Sequence, residues 1–210
     1  MKLILLGAPG AGKGTQAEIL KQMLNVPAIS TGNILRAAMR NGTPVGLEAK
    51  AYVENGKLVP DEVIIGIVKE RVAEDDCANG FILDGMPRTI PQAEALEANG
   101  IGIDCALSIE VSDETIIDRM SGRRTCSECS QTFHVVSNPP KVPGVCDFCG
   151  GTLTIRKDDE PETVKARLAT YHRETEPLKD FYAKRDKLVM VDSQPTIAET
   201  TDGIVKALGL

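Results

Sequence analysis

Short apolar runs recur along the chain, and segments with helical periodicity separate them. The runs are bounded by Gly, Pro or Asp and contain few polar positions. Such runs are typical of strands that are buried on both faces of a parallel sheet. We therefore predict five strands, at residues 2–6, 26–29, 81–83, 104–109 and 188–191.

Between these runs, apolar positions recur at the spacing of amphipathic helices. Residues 62–72 carry one such stripe, and Asp61, directly after Pro60, is the expected N-cap. Another stripe begins near Pro161, and Pro177 is expected to break that helix and open the next. Strands alternating with helices predict a doubly wound α/β fold with a five-stranded parallel sheet.

Two stretches interrupt the alternation. Residues 30–59 read as helical segments with turns and no strand, whereas residues 122–159 are rich in Cys, Pro and Gly. We expect both to be inserts that leave the core and return to it. The predicted division is a core of residues 1–29, 60–121 and 160–210, a helical insert of residues 30–59 and a cysteine-bearing insert of residues 122–159.

Composition narrows the possible functions. Of 210 residues, 42% are hydrophobic, 26% are charged and 3% are aromatic, with no Trp. These values are typical of a globular domain and argue against collagen, coiled coil and intrinsic disorder. They also argue against a nucleic-acid reader that stacks bases on aromatic side chains. The net charge is −6, so a phosphate site here needs a local basic cluster.

The N-terminus and the cysteines bear on the compartment. The apolar run after Lys2 is shorter than the roughly 7–15 residues of a signal peptide. No run approaches the ~18 apolar residues of a membrane span. We therefore expect a cytoplasmic protein without a membrane partner. In that compartment, six cysteines favour metal binding or free thiols over disulfides.

A glycine-rich loop follows the first predicted strand and precedes a helical pattern at residues 16–24. Its sequence, residues 7–15, is Gly-Ala-Pro-Gly-Ala-Gly-Lys-Gly-Thr. The glycines let backbone N–H groups converge on phosphate, and Lys13 can reach the β- and γ-phosphates. The hydroxyl of Thr15 follows Gly14 instead of following the lysine directly. The alternative is a glycine-rich turn with an incidental lysine.

Four cysteines form two Cys-x-x-Cys pairs separated by sixteen residues: Cys126, Cys129, Cys146 and Cys149. This spacing indicates a zinc site. Four thiolates complete a tetrahedral shell and leave no open position, so the zinc is expected to be structural. Two disulfides are the alternative. The other two cysteines, Cys77 and Cys105, lack such partners.

The phosphate loop, in the form Gly-x-Pro-Gly-x-Gly-Lys-Gly-Thr, resembles that of the adenylate kinase family more than other phosphate-loop proteins. Residues 31–36 and 80–88 look like the family's two monophosphate-binding motifs. Asn33 stands where the family usually has Asp, and Met86 where it has Phe. Thr89 is similar to adenylate-specific members, since uridylate and cytidylate kinases tend to carry Asn there. The resemblance covers essentially the whole chain.

The resemblance implies reversible, Mg²⁺-dependent transfer between ATP and AMP, giving two ADP, by a monomer. It implies ATP binding by Gly10, Ala11, Gly12, Lys13, Gly14, Thr15, Arg119, Arg123, Thr132, Phe133 and Gln194. It implies AMP binding by Thr31, Arg36, Lys57, Leu58, Val59, Gly85, Met86, Pro87, Arg88, Gln92, Arg156 and Arg167. The implied catalytic residues are Lys13, Arg88, Arg123, Arg156 and Arg167, and Thr15 and Asp84 would hold magnesium mostly through water. The inserts become an AMP-binding domain and a zinc-bearing lid.

The chemistry suits these residues. Phosphoryl transfer needs positioning and charge neutralisation. An acceptor phosphate with a second pKa of about 6 is already ionised near neutral pH, so no general base is required. His134 and His172 are accordingly expected to be ordinary surface or hydrogen-bonding residues.

Three other functions are alternatives to this one. A zinc-ribbon module on a nucleic-acid-binding NTPase would need a more basic insert than residues 122–159, which carry five cations and four carboxylates. A GTP-hydrolysing switch would need an Asn-Lys-x-Asp motif, which the chain lacks. A kinase that prefers another nucleoside monophosphate as acceptor remains an alternative.

Overall fold

The computed structural model describes residues 1–210 as two sheets and nine α-helices. The strands are β1 (Lys2–Leu6), β2 (Ala28–Ser30), β3 (Phe81–Asp84), β4 (Cys105–Glu110), β5 (Arg123–Cys126), β6 (Thr132–His134), β7 (Leu153–Thr154) and β8 (Leu188–Asp192). The helices are α1 (Lys13–Leu24), α2 (Thr31–Arg40), α3 (Pro44–Glu54), α4 (Asp61–Val72), α5 (Ile90–Ala98), α6 (Asp113–Gly122), α7 (Pro161–Thr170), α8 (Leu178–Ala183) and α9 (Ile197–Leu208). None of these helices combines the length and the apolar character that crossing a bilayer would take.

The main sheet is parallel throughout, in the order β2-β3-β1-β4-β8. Successive side chains of a strand point to opposite faces. Ile4 and Leu6 of β1 accordingly pack with α4, α5 and α8, whereas Leu3 and Leu5 pack with α1, α6, α7 and α9. Helices therefore cover both faces, which confirms the predicted doubly wound α/β fold.

Two local predictions are wrong. The second strand was expected at residues 26–29, but it begins at Ala28. The N–H of Val26 closes the C-terminus of α1 by donating to Lys21, and Pro27 has no N–H for the ladder. Asp61 is not the N-cap of α4. Pro60 holds that position, and the Asp61 carboxylate bonds to α5 instead.

The predicted helical insert contains α2 and α3. The side chains of Ser30 and Thr43 accept hydrogen bonds from the first turns of these helices. Such side-chain N-caps typically stabilise a helix by about 1 kcal/mol. The helices pack on each other beside β3, at the carboxyl edge of the sheet. The insert is therefore placed next to the phosphate loop.

The cysteine-bearing insert forms a small antiparallel sheet in the order β6-β5-β7. Its core contains only four buried residues, namely Cys126, Phe133, Cys146 and Leu153. So small a core cannot hold a domain together unaided, because fewer than about 40 residues bury too little surface. The chain then returns through α7, which ends in a π-helical turn at Tyr171–Thr175, and Pro177 precedes α8 as expected.

Candidate active site

The phosphate loop joins β1 to α1 at the carboxyl edge of the sheet. Three of its residues have positive φ angles, of 132° at Gly7, 86° at Gly10 and 96° at Gly12. Residues that have a Cβ atom rarely adopt such angles. The loop therefore bends so that Lys13 Nζ donates to the carbonyls of Gly7 and Ala8, at 2.7 and 2.9 Å. Burial lowers the pKa of Lys13 to about 8. The lysine is thus held at the N-terminus of α1, where an anion is favoured.

Two arginines approach the loop, one from α2 and one from the segment between β3 and α5. Arg36 Nη2 donates to Asn33 Oδ1 at 2.6 Å, so the asparagine holds this guanidinium where the family usually has an aspartate. The Nε of Arg36 is buried and has no hydrogen-bond partner. Arg88 is fixed by its Nε, which donates to the carbonyl of Gly85 at 2.9 Å. A buried donor without a partner, such as the Nε of Arg36, costs free energy, and a hydrogen bond to a phosphate oxygen would remove that cost.

Two further arginines are paired with carboxylates at the base of the cysteine-bearing insert. Arg123 Nε donates to Asp159 Oδ2 at 2.7 Å, and Arg167 Nη1 lies 2.8 Å from Asp158 Oδ2. Both aspartates are buried. Buried ions need partners, so each carboxylate fixes a guanidinium in position. Burial lowers the pKa of Arg167, although a guanidinium stays charged at any working pH.

Arg156 completes the basic group. Its Nε donates to Thr125 Oγ1 at 2.8 Å and its Nη2 to Thr132 Oγ1 at 3.4 Å. Burial, and after it the nearby cations Arg36 and Arg123, lower its pKa. Residues from the core and from both inserts therefore converge on one point, although the whole chain is acidic. The predicted local basic cluster consists of Lys13, Arg36, Arg88, Arg123, Arg156 and Arg167.

A pocket opens beside this cluster, between α2, α3 and α4. It is lined by Thr31, Gly32, Leu35, Arg36, Val53, Gly56, Lys57, Leu58, Val59, Ile64, Gly85, Arg88, Gln92, Asp158 and Arg167. Most of the residues predicted for AMP lie here. Met86, Pro87 and Arg156 do not line the pocket, and the Met86 side chain is fully buried in the core.

The residues predicted for ATP are more dispersed. Arg119 lies apart from the basic cluster, and its Nη2 donates to Ser193 Oγ at 3.0 Å. Gln194 follows, with its backbone N–H bonded to Thr200. Phe133 is buried in the core of the cysteine-bearing insert, so its backbone is the part that could face a nucleotide. Arg119 is the one of these three residues that lines a second cleft, which lies at the ends of β4 and β8.

Asp84 ends β3 next to the phosphate loop. Its Oδ2 lies 3.5 Å from Ser30 Oγ, and the same distance from the point where a Cβ on Gly14 would stand. The carboxylate therefore faces the start of α1, one residue before Thr15. Carboxylate and hydroxyl oxygens suit Mg²⁺, which usually keeps several waters when it is bound with phosphates. The donor set fits a magnesium ion carried by a nucleotide.

The four cysteines of the predicted zinc site come together. Their sulfur atoms all lie within 4.8 Å of one another, with Cys126 Sγ 3.4 Å from Cys149 Sγ and Cys129 Sγ 3.6 Å from Cys146 Sγ. Tetrahedral zinc with Zn–S bonds of about 2.3 Å separates its sulfurs by about 3.8 Å. All four are free thiols, not disulfides. The cluster therefore fits one zinc ion.

Comparison with known proteins agrees with this geometry. Residues 5–187 match the family described as adenylate kinase. A protein named adenylate kinase from Caldicellulosiruptor bescii is 56% identical over 214 residues, covering 100% of both chains. The chain belongs to the adenylate kinase family. Adenylate kinases from Acetivibrio thermocellus and Carboxydothermus hydrogenoformans are 53% and 52% identical, over at least 98% of each chain. This adenylate kinase is accordingly a phosphotransferase.

Three acidic residues of the adenylate kinase were not predicted to have a role at the site. Asp158 and Asp159 lie at the end of the cysteine-bearing insert and had no predicted role, and Asp61 was predicted only as a helix cap. The one available signal was a pair of acids directly after an arginine and a lysine. Nothing in the local sequence indicates that Asp159 and Asp158 are buried against Arg123 and Arg167, which belong to other segments.

Proposed function

We propose that this adenylate kinase transfers the γ-phosphoryl group of ATP reversibly to AMP, with Mg²⁺, giving two ADP, and so maintains the adenine nucleotide balance. The observation that carries the proposal is the convergence of Lys13 and five arginines between the phosphate loop and a separate, partly apolar pocket. Two polyanions meeting at one point need such a cluster of cations.

Each cation has a proposed role. Arg36 and Arg88 grip the acceptor phosphate, and Lys13 holds the phosphates of ATP with the loop backbone. Arg119 and Arg123 bind on the ATP side, and Arg156 and Arg167 reach over the transferring group. Planar guanidinium groups suit bidentate contact with phosphate oxygens. Mg²⁺, held mostly through water by Thr15 and Asp84, supplies further charge neutralisation when it is bound with ATP.

The remaining proposals concern the two inserts, the oligomeric state, the ligands and the compartment. Residues 30–59 act as the AMP-binding domain and residues 122–159 as a lid with structural zinc, each moving relative to the core. Closure excludes water, which would otherwise compete as an acceptor. We propose a cytoplasmic monomer that binds ATP, ADP and AMP and neither nucleic acid nor membrane. Four zinc-binding thiolates favour a reducing compartment.

The proposal is tested by following ADP formation from ATP with AMP, UMP, CMP or GMP as acceptor. We expect strong dependence on AMP. ATP hydrolysis at the same rate without AMP, or faster transfer to another monophosphate, would contradict it. Arg88→Ala is expected to lower kcat by about 10²–10³, as for other charge-stabilising donors. Its melting temperature should stay near that of Lys50→Ala, a control that removes an exposed cation from α3.

A further inference from the structure

Asp61 does not line the pocket between α2, α3 and α4, which is the proposed acceptor site, but it bonds to a residue that does. Its Oδ1 accepts from Gln92 Nε2 at 2.6 Å, and its Oδ2 accepts from Thr89 Oγ1 at 3.3 Å. On the other side of the amide, Gln92 Oε1 accepts from the backbone N–H of Arg88 at 2.7 Å. Gln92 is 2% exposed, and its amide lies between hydrogen-bond partners on two segments.

These partners define the orientation of the Gln92 amide. The Asp61 carboxylate can only accept hydrogen bonds, and a backbone N–H can only donate. A flipped amide would set oxygen against the carboxylate and N–H against the Arg88 N–H. Both contacts would be repulsive. The amide therefore keeps one free N–H and one free oxygen lone pair for a ligand, in a fixed order.

We infer that Asp61 is a positioning residue that sets the base specificity of the acceptor site through Gln92. The inference rests on the proposed binding of AMP in this pocket. The fixed Gln92 Oε1 accepts from the 6-amino group of adenine, and the free N–H of Nε2 donates to the adjacent ring nitrogen N1. Asp61 itself touches no ligand.

The consequence is discrimination against 6-oxopurines. In hypoxanthine, position 6 carries an acceptor oxygen and N1 carries a hydrogen, which reverses the adenine pattern. A freely rotating glutamine could reverse with it, whereas Gln92, held by Asp61 and by the backbone N–H of Arg88, cannot. A site whose buried polar groups are left unpaired rejects the wrong substrate strongly.

The test compares kcat/KM for AMP and for IMP in Asp61→Asn. An asparagine side chain can present either an acceptor or a donor, so this substitution removes one of the two repulsive contacts of the flipped Gln92 and leaves only the contact with the Arg88 N–H. We expect the AMP-to-IMP ratio of kcat/KM to fall about tenfold or more, mainly through KM. Glu62→Gln is the matched control, because it removes a neighbouring, exposed charge from the same first turn of α4. Its ratio should equal that of the unaltered enzyme.

An unchanged ratio in Asp61→Asn would overturn the inference. So would an equal loss for both substrates together with a lower melting temperature, because Asp61 would then serve only to join α4 to α5. If the asparagine variant does not fold, Asp61→Ser is measured in the same way. Failure of the unaltered enzyme to use AMP would contradict the proposed function, independently of the ratio between variants.

Discussion

Arg40, at the end of α2, donates from Nη1 to the carbonyl oxygen of Ser127 at 2.7 Å. Ser127 lies between Cys126 and Cys129 of the proposed zinc site. The helical insert therefore contacts the first cysteine turn of the cysteine-bearing insert directly. A second contact joins Lys157 Nζ to Glu54 Oε1 at 3.2 Å. The two inserts touch each other, as the proposed closure over the nucleotides requires.

Removing the first of these contacts is expected to favour opening. Arg40→Ala deletes an exposed, charge-assisted hydrogen bond worth about 1 kcal/mol, so the ratio of closed to open molecules should fall about fivefold. Energy transfer between probes at the exposed positions Leu47 and Val142 would report the separation of the inserts. Lys50→Ala should leave it unchanged. Equal distances in both variants would exclude a role for Arg40 in closure.

Lys13 is expected to titrate near pH 8, because burial lowers its pKa to about 8 in the free enzyme. Below this pH the ammonium is charged and can bind phosphate, so kcat/KM for ATP should fall as the pH rises through it. Between pH 8 and the unfolded value of 10.5, the unfolded chain binds more protons, so this residue makes stability rise with pH. Carbon-13 NMR of labelled lysine measures the pKa directly. A value near 10.5 would contradict the prediction.

The four-cysteine cluster is expected to hold the lid together without taking part in chemistry. Metal analysis should find about one zinc per chain, as a single Cys₄ site requires. Cys129→Ser, at an assumed loss of about 3 kcal/mol, should lower the melting temperature by roughly 6–12 °C. Activity should persist at low temperature with ample Mg²⁺. Ser137→Ala, at an exposed lid position, is the control. A zinc-free protein that is fully folded but inactive would rule out the structural role.

His172 is expected to stabilise the protein at mildly acid pH. Its Nδ1 lies 2.7 Å from Glu176 Oε2 and its Nε2 lies 3.1 Å from Asp113 Oδ2, and the bond to Glu176 raises its pKa. A raised pKa means that the stabilisation is present below the unfolded value near 6.5 and is lost as the pH rises through the folded value.

The effect should be modest, since the side chain is 44% exposed. We expect less than about 1 kcal/mol from such a pair. Thermal unfolding of His172→Gln should show a larger deficit at pH 5.5 than at pH 8. The same substitution in a background carrying Asp113→Asn and Glu176→Gln should show no such difference. A deficit independent of pH would mean that His172 is neutral over this range.

Much of the fold follows from local pattern. The apolar runs of β1, β3 and β4 predicted buried strands because a strand covered on both faces has no polar side to display. The glycines at positions 7, 10 and 12 predicted the phosphate loop, because a left-handed backbone next to a helix N-terminus is a local requirement. The paired cysteines predicted the metal site because each Cys-x-x-Cys pair forms a turn of its own, which is also a local feature of the sequence.

The tertiary structure decided which distant groups share a partner. Asp61 could be read as a helix cap from its neighbours alone, but its carboxylate bonds to α5. Asp159 bonds to Arg123, which is far from it in sequence. The sequence by itself determined β1, β3 and β4, the loop and the residue types that handle phosphate, because these depend on nearest neighbours. The orientation of each guanidinium and of the Gln92 amide depends on desolvation and on packing between segments, and only the folded chain supplies both.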